Sequence, residues 1–323
     1  MALVINGRNP NDVFPITIHM VRDHGVLLPS RNGDCLEIPM PVVTTFTAPM
    51  ERVLFHKKRR INPYLHFFEP FWILAGKKDV EFLANIVARF KEFSDDGKTL
   101  YGAYGERIAD QLPTAIDRLR NNPYDRRVVL QIRRPEDILY DGRDMPCNTS
   151  IALKIRNGRL NLHVFNRSND IIWGGPAGGS NHPQFTVLQE YLAGKIGCGI
   201  GNYIVTTDSM HAYVNAQWEK LKEGQESYDP YFALKVQPFH LSSGTQMFDE
   251  DLRLAFEASP NDLEFKTTFF RNVYQPMWRS FIAYKEKDYD RAKHWAMNVA
   301  ASDWSMVTYD WLNHFTPDED ALQ

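Results

Sequence analysis

The chain places a thiol, a cation and a carboxylate close together between Met145 and Ala193, MPCNTSIALKIRNGRLNLHVFNRSNDIIWGGPAGGSNHPQFTVLQEYLA. Cys147 follows a proline, and Arg167 and Asp170 follow two apolar runs that Asn157-Gly158 joins as a predicted hairpin. A Gly/Pro-rich loop then leads into a predicted helix. A thiol, a fixed positive charge and a carboxylate beside a flexible loop are typical of a covalent active site for an anionic substrate. The alternative is a buried structural cysteine ahead of an ordinary hairpin, because free cysteine commonly behaves as a small apolar residue.

A second candidate group lies in a helix predicted over Pro63–Ala75. Its apolar residues cover nearly the whole circumference, which indicates burial, yet Glu69 stands in the middle. Burial disfavours an unpaired ionised carboxylate and raises its pKa toward neutrality, which suits a group that accepts and releases protons. Pro70 is expected to bend the helix beside it. The alternative role for Glu69 is a structural salt bridge.

The composition is typical of a globular protein and argues against several other classes of protein. The 323 residues are 43% hydrophobic and 24% charged, which is ample for a large core, and the net charge of −3 argues against a surface that coats nucleic acid. No apolar run reaches transmembrane length and the N-terminus lacks a signal peptide's apolar stretch, so we expect a cytoplasmic protein without membrane contact. The cysteines are an odd number without metal-ligand spacing, so we expect free thiols and no metal: Cys35, Cys147 and Cys198.

Hydrophobic patterning predicts strands and helices together through the first two-thirds of the chain, and helices alone near its end. Strands are predicted at Ile38–Phe46, Val128–Ile132, Ile151–Ile155, Leu160–Phe165 and Asn202–Thr207. Further helices are predicted at Val13–Val26, Asp79–Glu92, Leu112–Leu119, Leu263–Tyr284, Ala292–Ala300 and Trp304–His314. We therefore predict a catalytic core at 1–223, a loop-rich connection at 224–260 and a helical extension packed on the core at 261–323.

The motifs, taken together, resemble those of the thymidylate synthase family, which includes the synthases and the pyrimidine nucleotide 5-hydroxymethylases. The central stretch matches at Pro146-Cys147, Arg167-Ser168, Asp170, a Gly-x-Pro turn and Asn181. Matches on both sides stand in the family's order: Glu69–Gly76, Tyr104-Gly105, Asp125-Arg126-Arg127 and His211-Ala-Tyr213. The resemblance covers roughly residues 30–220. It implies an α+β fold, with a mixed β-sheet, packed helices and a C-terminal helical extension that the synthases lack.

The resemblance also implies a role for each matched residue. The catalytic set would be the nucleophile Cys147 with Glu69, Tyr104 and Asn148. The phosphate-binding set would be Arg31, Arg126, Arg127, Arg167 and Ser168. The base would be bound by Asp170 and by Asn181, or by Ser180, because the preceding loop is about three residues longer than in synthases. The sugar would be bound by His211 and Tyr213, and the folate pocket would include Phe90 and Phe93.

The paired arginines imply a homodimer. In the family, the residues matching Arg126 and Arg127 cross the subunit interface to bind the partner's nucleotide phosphate. Two adjacent side chains at the start of a strand point to opposite faces, so one arginine can stay in its own subunit while the other reaches outward. Guanidinium groups suit this role because they remain charged and bind phosphate through two hydrogen bonds.

The implied activity is one-carbon transfer from 5,10-methylenetetrahydrofolate to C5 of a pyrimidine nucleoside monophosphate, without a metal. A thiolate, its pKa lowered by the phosphate-binding arginines, adds to C6 and activates C5. A methylene group left on C5 then takes hydride to become methyl, or water to become hydroxymethyl. Three departures favour water: Phe90 and Phe93 replace shielding tryptophans, Asn148 replaces a histidine, and the acidic end 315–323 replaces a folate-covering tail.

We therefore predict a 5-hydroxymethylase. The segments at 166–172 and 209–213 also resemble a phage deoxycytidylate hydroxymethylase more than a synthase. An asparagine at 181 favours deoxyuridylate, although its amide, turned over, also pairs with dCMP or CMP. The alternatives are a thymidylate synthase and, in another class, a non-catalytic nucleotide-binding homologue. Retention of the thiol together with Glu69 argues against the latter, since binding alone needs neither.

Overall fold

The computed structural model describes residues 2–223, 228–257, 260 and 263–315. The strands over these residues are β1 (Leu3–Gly7), β2 (Val26–Leu28), β3 (Cys35–Glu37), β4 (Val42–Phe46), β5 (Val129–Gln131), β6 (Asn148–Arg156), β7 (Arg159–Asp170) and β8 (Gly199–Tyr213). The α-helices are α1 (Pro10–His24), α2 (Pro63–Leu74), α3 (Val80–Ile86), α4 (Tyr104–Ile108), α5 (Leu112–Asn121), α6 (Asn181–Ile196), α7 (Ala216–Leu221), α8 (Pro230–Ala233), α9 (Gln246–Glu257), α10 (Gln275–Lys285), α11 (Tyr289–Met297) and α12 (Ser302–Leu312). Two 3-10 helices, Ala88–Glu92 and Pro135–Leu139, and a π-helix, Phe270–Tyr274, complete them.

The strands form one mixed sheet in the order β1-β4-β8-β7-β6-β5, with β3 also pairing β8 and β2 pairing β3. β1 and β4 are parallel, as are β7 and β8, and the other pairs are antiparallel. The predicted hairpin is present and joins β6 to β7. Asn157 and Gly158 form its turn with positive φ angles of 51° and 71°, as a tight two-residue turn requires. This mixed sheet with packed helices confirms the predicted α+β fold.

Helix α2 lies at the centre of the molecule and carries Glu69. Asn62 caps its N-terminus by accepting hydrogen bonds from the backbone N–H groups of Tyr64 and Leu65. Its aromatic side chains pack on α6 and on the C-terminal helices, which is why a helix apolar nearly all round is stable here. Glu69 is therefore held in place by a rigid, buried helix.

The C-terminal helices share one buried cluster with the sheet and α2, including Phe67, Tyr274 and Trp304. The helix predicted from Leu263 instead begins near residue 268, because the Asp251 carboxylate accepts hydrogen bonds from the N–H groups of Lys266 and Thr267 and caps it there. The predicted division into core, connection and extension stays a prediction.

The stretch 224–260, predicted to be loop-rich, carries more helix than expected. Its described part contains the short α8 and the twelve-residue α9. Helix α9 buries Phe248, Leu252 and Ala255, whose spacing is helical and was missed in the sequence. The acidic end at 316–323 and the residues 224–227, 258–259 and 261–262 lie outside the described residues.

The sheet has one face whose side chains are deeply buried and an opposite face whose side chains are half-buried or exposed. The opposite face is a continuous surface. Two rows cross six adjacent strands in register, and their side chains are half-buried or exposed: Val4, Val43, Thr206, Phe165, Ser150 and Gln131 in one, and Asn6, Thr45, Ile204, His163, Ala152 and Val129 in the other. We call these two rows the open sheet face. Large apolar side chains on it, such as Val4 and Phe165, are 61% and 38% exposed.

Candidate active site

Most of the predicted site residues line one cavity of about 340 Å³. They come from α2, the 3-10 helix Ala88–Glu92 and the residue after it, α4, the turn before β6, the ends of β7 and β8, and the start of α6. The lining includes Glu69, Phe90, Phe93, Tyr104, Cys147, Ser168, Asp170, Ser180, Asn181, His211 and Tyr213. The sheet topology explains the gathering, because β7 and β8 are adjacent and parallel, so that Asp170 pairs with His211 where both strands end.

Arg167 holds the turn that presents the Cys147 thiol. Its Nε donates to Pro146 O at 2.9 Å and its Nη2 to Met145 O at 3.1 Å, and Nη2 lies 3.9 Å from Cys147 Sγ. The expectation of a lowered thiol pKa was wrong for this structure: burial raises the pKa of Cys147, against the opposing effect of the Arg167 and Arg31 charges. Desolvation outweighs the cations because the thiol sits inside the cavity.

Glu69 is buried in the cavity wall. Its Oε2 has no hydrogen-bond partner among the described residues. Burial raises the pKa of Glu69 to about 7, while the Gln184 and Ser180 side chains act in the opposite direction. The raised value agrees with the prediction from its apolar surroundings and places the carboxyl near half-ionisation at neutral pH, where a general base works well.

Tyr104 opens α4 and faces the same cavity, with its ring stacked on Phe185 at 5.9 Å. Burial, together with nearby Cys147, raises the pKa of Tyr104, so the phenol remains a hydrogen-bond donor at neutral pH. Asn148 is fully buried at the start of β6, where it interacts with Tyr104 and its Oδ1 accepts from Asn166 Nδ2 at 2.8 Å. Asn148 therefore lies behind the cavity wall rather than in it.

The base-binding candidates meet at the start of α6. Ser180 directly precedes the helix and Asn181 is its first residue, and both line the cavity. The longer Gly/Pro loop therefore leaves both Ser180 and Asn181 in the cavity wall, and both remain candidates for binding the base. Asp170 accepts a hydrogen bond from Ile172 N at 2.9 Å, and burial raises the pKa of its carboxyl.

The sugar-binding candidates lie on a strand. The strand predicted at Asn202–Thr207 is longer in the structure, where β8 continues to Tyr213 because β3 pairs with its last residues. His211 and Tyr213, two apart on a strand, share a face, and their rings lie 5.2 Å apart edge to face. This alternation aims both side chains into the cavity.

The structure does not bring all the predicted phosphate ligands to this cavity. Arg126 and Arg127 are exposed on the loop before β5, and Arg127 donates to Asp125 from Nε and Nη2 at 2.9 and 3.0 Å. Arg31 lies in an exposed turn whose next residue, Asn32, donates to the Tyr213 hydroxyl at 3.2 Å. Within one chain, Arg167 and Arg31 are the predicted phosphate ligands whose charges lower the pKa of the thiol, against the larger effect of burial.

A second cavity of about 880 Å³ adjoins the first and shares Phe90, Phe93, Trp173 and Ser180 with it. The Phe90 and Phe93 rings are 6.4 Å apart, and Phe93 is 39% exposed. The remaining wall carries two carboxylates, Glu219 and Glu223, and a larger number of cations: Lys57, Lys58, Arg59, Arg60, Arg89 and Lys220. The combined space suits a long ligand with an aromatic end and an anionic end.

Sequence reasoning missed several polar or aromatic wall residues, among them Trp72, Asp144, Trp173 and Gln184. The spacing of Gln184 held a usable signal, since it lies one helical turn after Ser180 and must face the same way.

No group of His, Cys, Asp and Glu side chains in the described part of the chain is arranged to hold a metal ion. None of the described helices is long and apolar enough to cross a membrane.

Comparisons with known proteins agree with this geometry. The sequence model of the family described as thymidylate synthase matches residues 17–253. A deoxyuridylate hydroxymethyltransferase of Pseudomonas phage M6 is 37% identical over 330 aligned positions, covering 96% of this chain and 93% of the relative. The protein of that name from Bacillus phage SP01 is 35% identical, covering 68% and 61%. The one from Delftia phage PhiW-14 is 32% identical, covering 52% and 50%.

Proposed function

The chain belongs to the thymidylate synthase family, and from that membership we propose that it transfers a hydroxymethyl group to C5 of deoxyuridylate. The observation that carries the proposal is the shared cavity, which is lined by Cys147, Glu69 and the base-binding candidate Asn181. The relatives' printed activity supports the hydroxymethyl product and the uracil base.

In the proposed reaction, Cys147 bonds to C6 of the pyrimidine and the C5=C6 electrons move toward the C4 carbonyl, making C5 nucleophilic. The Arg167 guanidinium, 3.9 Å from Sγ, stabilises the thiolate that attacks. C5 bonds to the methylene carbon of methylenetetrahydrofolate and releases its proton to solvent; the bond between that carbon and the folate nitrogen then breaks, so that tetrahydrofolate leaves and a methylene remains on C5. Water then adds its oxygen to the C5 methylene and gives its proton to Glu69, and the thiolate departs as the C5=C6 bond re-forms.

The two joined cavities fit the folate. Phe90, Phe93 and Trp173 stand at their junction and offer aromatic faces to a heteroaromatic ring. The cationic wall beyond, including Lys57 and Arg60, suits the ligand's carboxylates. Phe90 and Phe93 line the cavity where the synthases carry larger shielding tryptophans, and the smaller rings leave more room for water beside the methylene, which favours hydroxymethylation over hydride transfer.

Mass spectrometry of the products from dUMP, dCMP and CMP, each with methylenetetrahydrofolate, tests the proposed base and sugar preference. We expect hydroxymethylated product from dUMP at the highest kcat/KM, since the Asn181 amide can pair with O4 and N3–H of uracil. A preference for dCMP or CMP would contradict the assignment of Asn181 to uracil. A methylated product would favour a thymidylate synthase instead.

The proposed assembly is a homodimer joined through the open sheet face. Its apolar and β-branched side chains, including Val4, Phe165 and Ile204, form a broad surface that a second copy would cover. Arg126 and Arg127 are exposed on the loop before β5, the strand at one edge of this sheet, and do not line their own chain's cavity. Closing the dimer through this face would let them complete the phosphate site of the other subunit.

Subunit complementation tests the shared phosphate site. Cys147→Ala and Arg127→Ala should each be inactive as homodimers, because one lacks the nucleophile and the other a phosphate ligand. After mixing and subunit exchange, the heterodimer should regain one intact site, giving up to about a quarter of wild-type activity if exchange is random. Absence of activity after exchange has been verified by mass spectrometry, or a monomer by sedimentation, would contradict the proposal.

A further inference from the structure

Three buried polar atoms in the cavity wall have no hydrogen-bond partner among the described residues: Glu69 Oε2, Trp72 Nε1 and Gln184 Oε1. All three residues line the cavity, and Trp72 and Gln184 are only 2% and 4% exposed. Buried polar groups are nearly always hydrogen-bonded, because an unpaired one loses its hydration without compensation. This group of atoms therefore points to a small polar molecule bound between them.

Packing places the three groups together. Glu69 and Trp72 are one turn apart on α2, so they share a helix face. Helix α6 packs against α2 and carries Gln184. The Gln184 Nε2 donates to Ser180 Oγ at 3.1 Å, which fixes the amide, and the same side chain lowers the pKa of Glu69 against the larger effect of burial.

One donor, Trp72 Nε1, and two acceptors, Glu69 Oε2 and Gln184 Oε1, match the hydrogen bonds that one water molecule can form. A water has two O–H donors, which the two orphan oxygens can accept, and lone pairs that can accept from the Trp72 indole N–H. A buried water is held stably by two to four such partners in a polar site. An apolar ligand would leave all three groups unsatisfied.

We propose that Gln184 is a positioning residue which, with Glu69 and Trp72, holds the water that captures the C5 methylene. The inference rests on the proposed function and deepens it. In the capture step the water oxygen bonds to the methylene carbon and one water proton passes to Glu69. Gln184 accepts the other O–H bond and is unchanged, so it acts by orienting the attacking lone pair.

Gln184→Met keeps the side-chain length and removes the acceptor. Tritium release from C5 and formation of hydroxymethyl product, measured on the same dUMP sample, separate the early steps from water capture. We expect near-normal tritium release in the first turnover and, over the same interval, a fall of about 10- to 100-fold in product per tritium released, as for other misplaced reacting groups. Gln184→Asn, which withdraws the amide by one methylene, should give a smaller fall in the same ratio.

Gln189→Met is the matched control, because it makes the same change on the same helix. Gln189 is buried and donates to Leu160 O, Gly201 O and Asn202 O, away from the cavity. It should alter thermal stability yet leave the ratio of product to tritium release at the wild-type value. A fall in that ratio in Gln189→Met equal to that in Gln184→Met would overturn the proposal.

The pH profile gives a readout that a purely structural role would not change. Gln184 lowers the pKa of Glu69, so its loss should move the acid limb of the product-formation profile to higher pH. If wild type makes hydroxymethyl product while both Gln184 variants keep its ratio and its acid limb, the inference fails and the proposed function stands. If wild type makes methylated product and dihydrofolate, the proposed function itself fails.

Discussion

Cys147→Ala is expected to bind deoxyuridylate with near-normal affinity and to lose C5 proton exchange and product formation altogether. The thiol is the only proposed covalent link to C6, and C5 is a poor nucleophile without that bond. The loss should be on the order of 10⁶-fold, as when the nucleophile of other enzymes is removed. Equilibrium binding and tritium release from labelled dUMP with folate present are the measurements.

Cys198→Ala is the control for that variant. Cys198 is also half-buried and free but follows α6, outside the cavity lining. Its replacement should leave tritium release unchanged. Residual C5 exchange in Cys147→Ala, above the rate without protein, would show that C6 is not attacked by this thiol.

Glu69→Gln should lower the rate of hydroxymethyl product formation by on the order of 10²–10⁴, because the amide keeps the shape of the carboxyl and removes the base. Nucleotide binding and covalent addition of Cys147 should persist. In wild type the product-formation rate should rise with pH through the pKa of Glu69, about 7, as the carboxylate forms. The variant should lack that rise, and an unchanged pH profile would remove Glu69 from the proton transfer.

The stability of the same variant distinguishes a catalytic role from a structural one. The folded-state pKa of Glu69 is raised from 4.5 to about 7, so the protonated form is favoured in the fold. The free energy of unfolding therefore falls as pH rises from about 4.5 to about 7 and remains lower above that range. Glutamine cannot ionise, so Glu69→Gln should melt at a higher temperature than wild type at pH 8. A lower melting temperature would indicate that Glu69 serves as a structural hydrogen-bond partner.

Features encoded locally could be predicted from the sequence. The turn at Asn157-Gly158 follows from the φ preferences of those two residues, and the burial of α2 follows from its apolar circumference. The raised pKa of Glu69 follows from that burial. The proximity of Cys147 and Asp170 was expected from the predicted hairpin, whereas His211 was expected beside them only through the family resemblance, since strand order is set by non-local pairing.

Features that depend on contacts between residues distant in sequence, or on opposing effects within the folded structure, could not be predicted. The direction of the Cys147 pKa shift depends on whether desolvation or the arginine charges prevail, and only the folded geometry decides that. The end of β8 at Tyr213 depends on pairing with β3, which is distant in sequence. The capping by Asp251 of the helix that begins near residue 268 is likewise a non-local contact. The polar partners of Glu69 emerge only when α6 packs on α2.

The central claim is that water, not hydride, takes the methylene on C5. The most direct measurement is the mass of the nucleotide product formed by the wild-type protein from dUMP and methylenetetrahydrofolate in H₂¹⁸O, with the released folate identified in the same sample. The proposed chemistry predicts a hydroxymethyl product that carries one ¹⁸O and releases tetrahydrofolate. A methylated product without ¹⁸O, formed together with dihydrofolate, would contradict it.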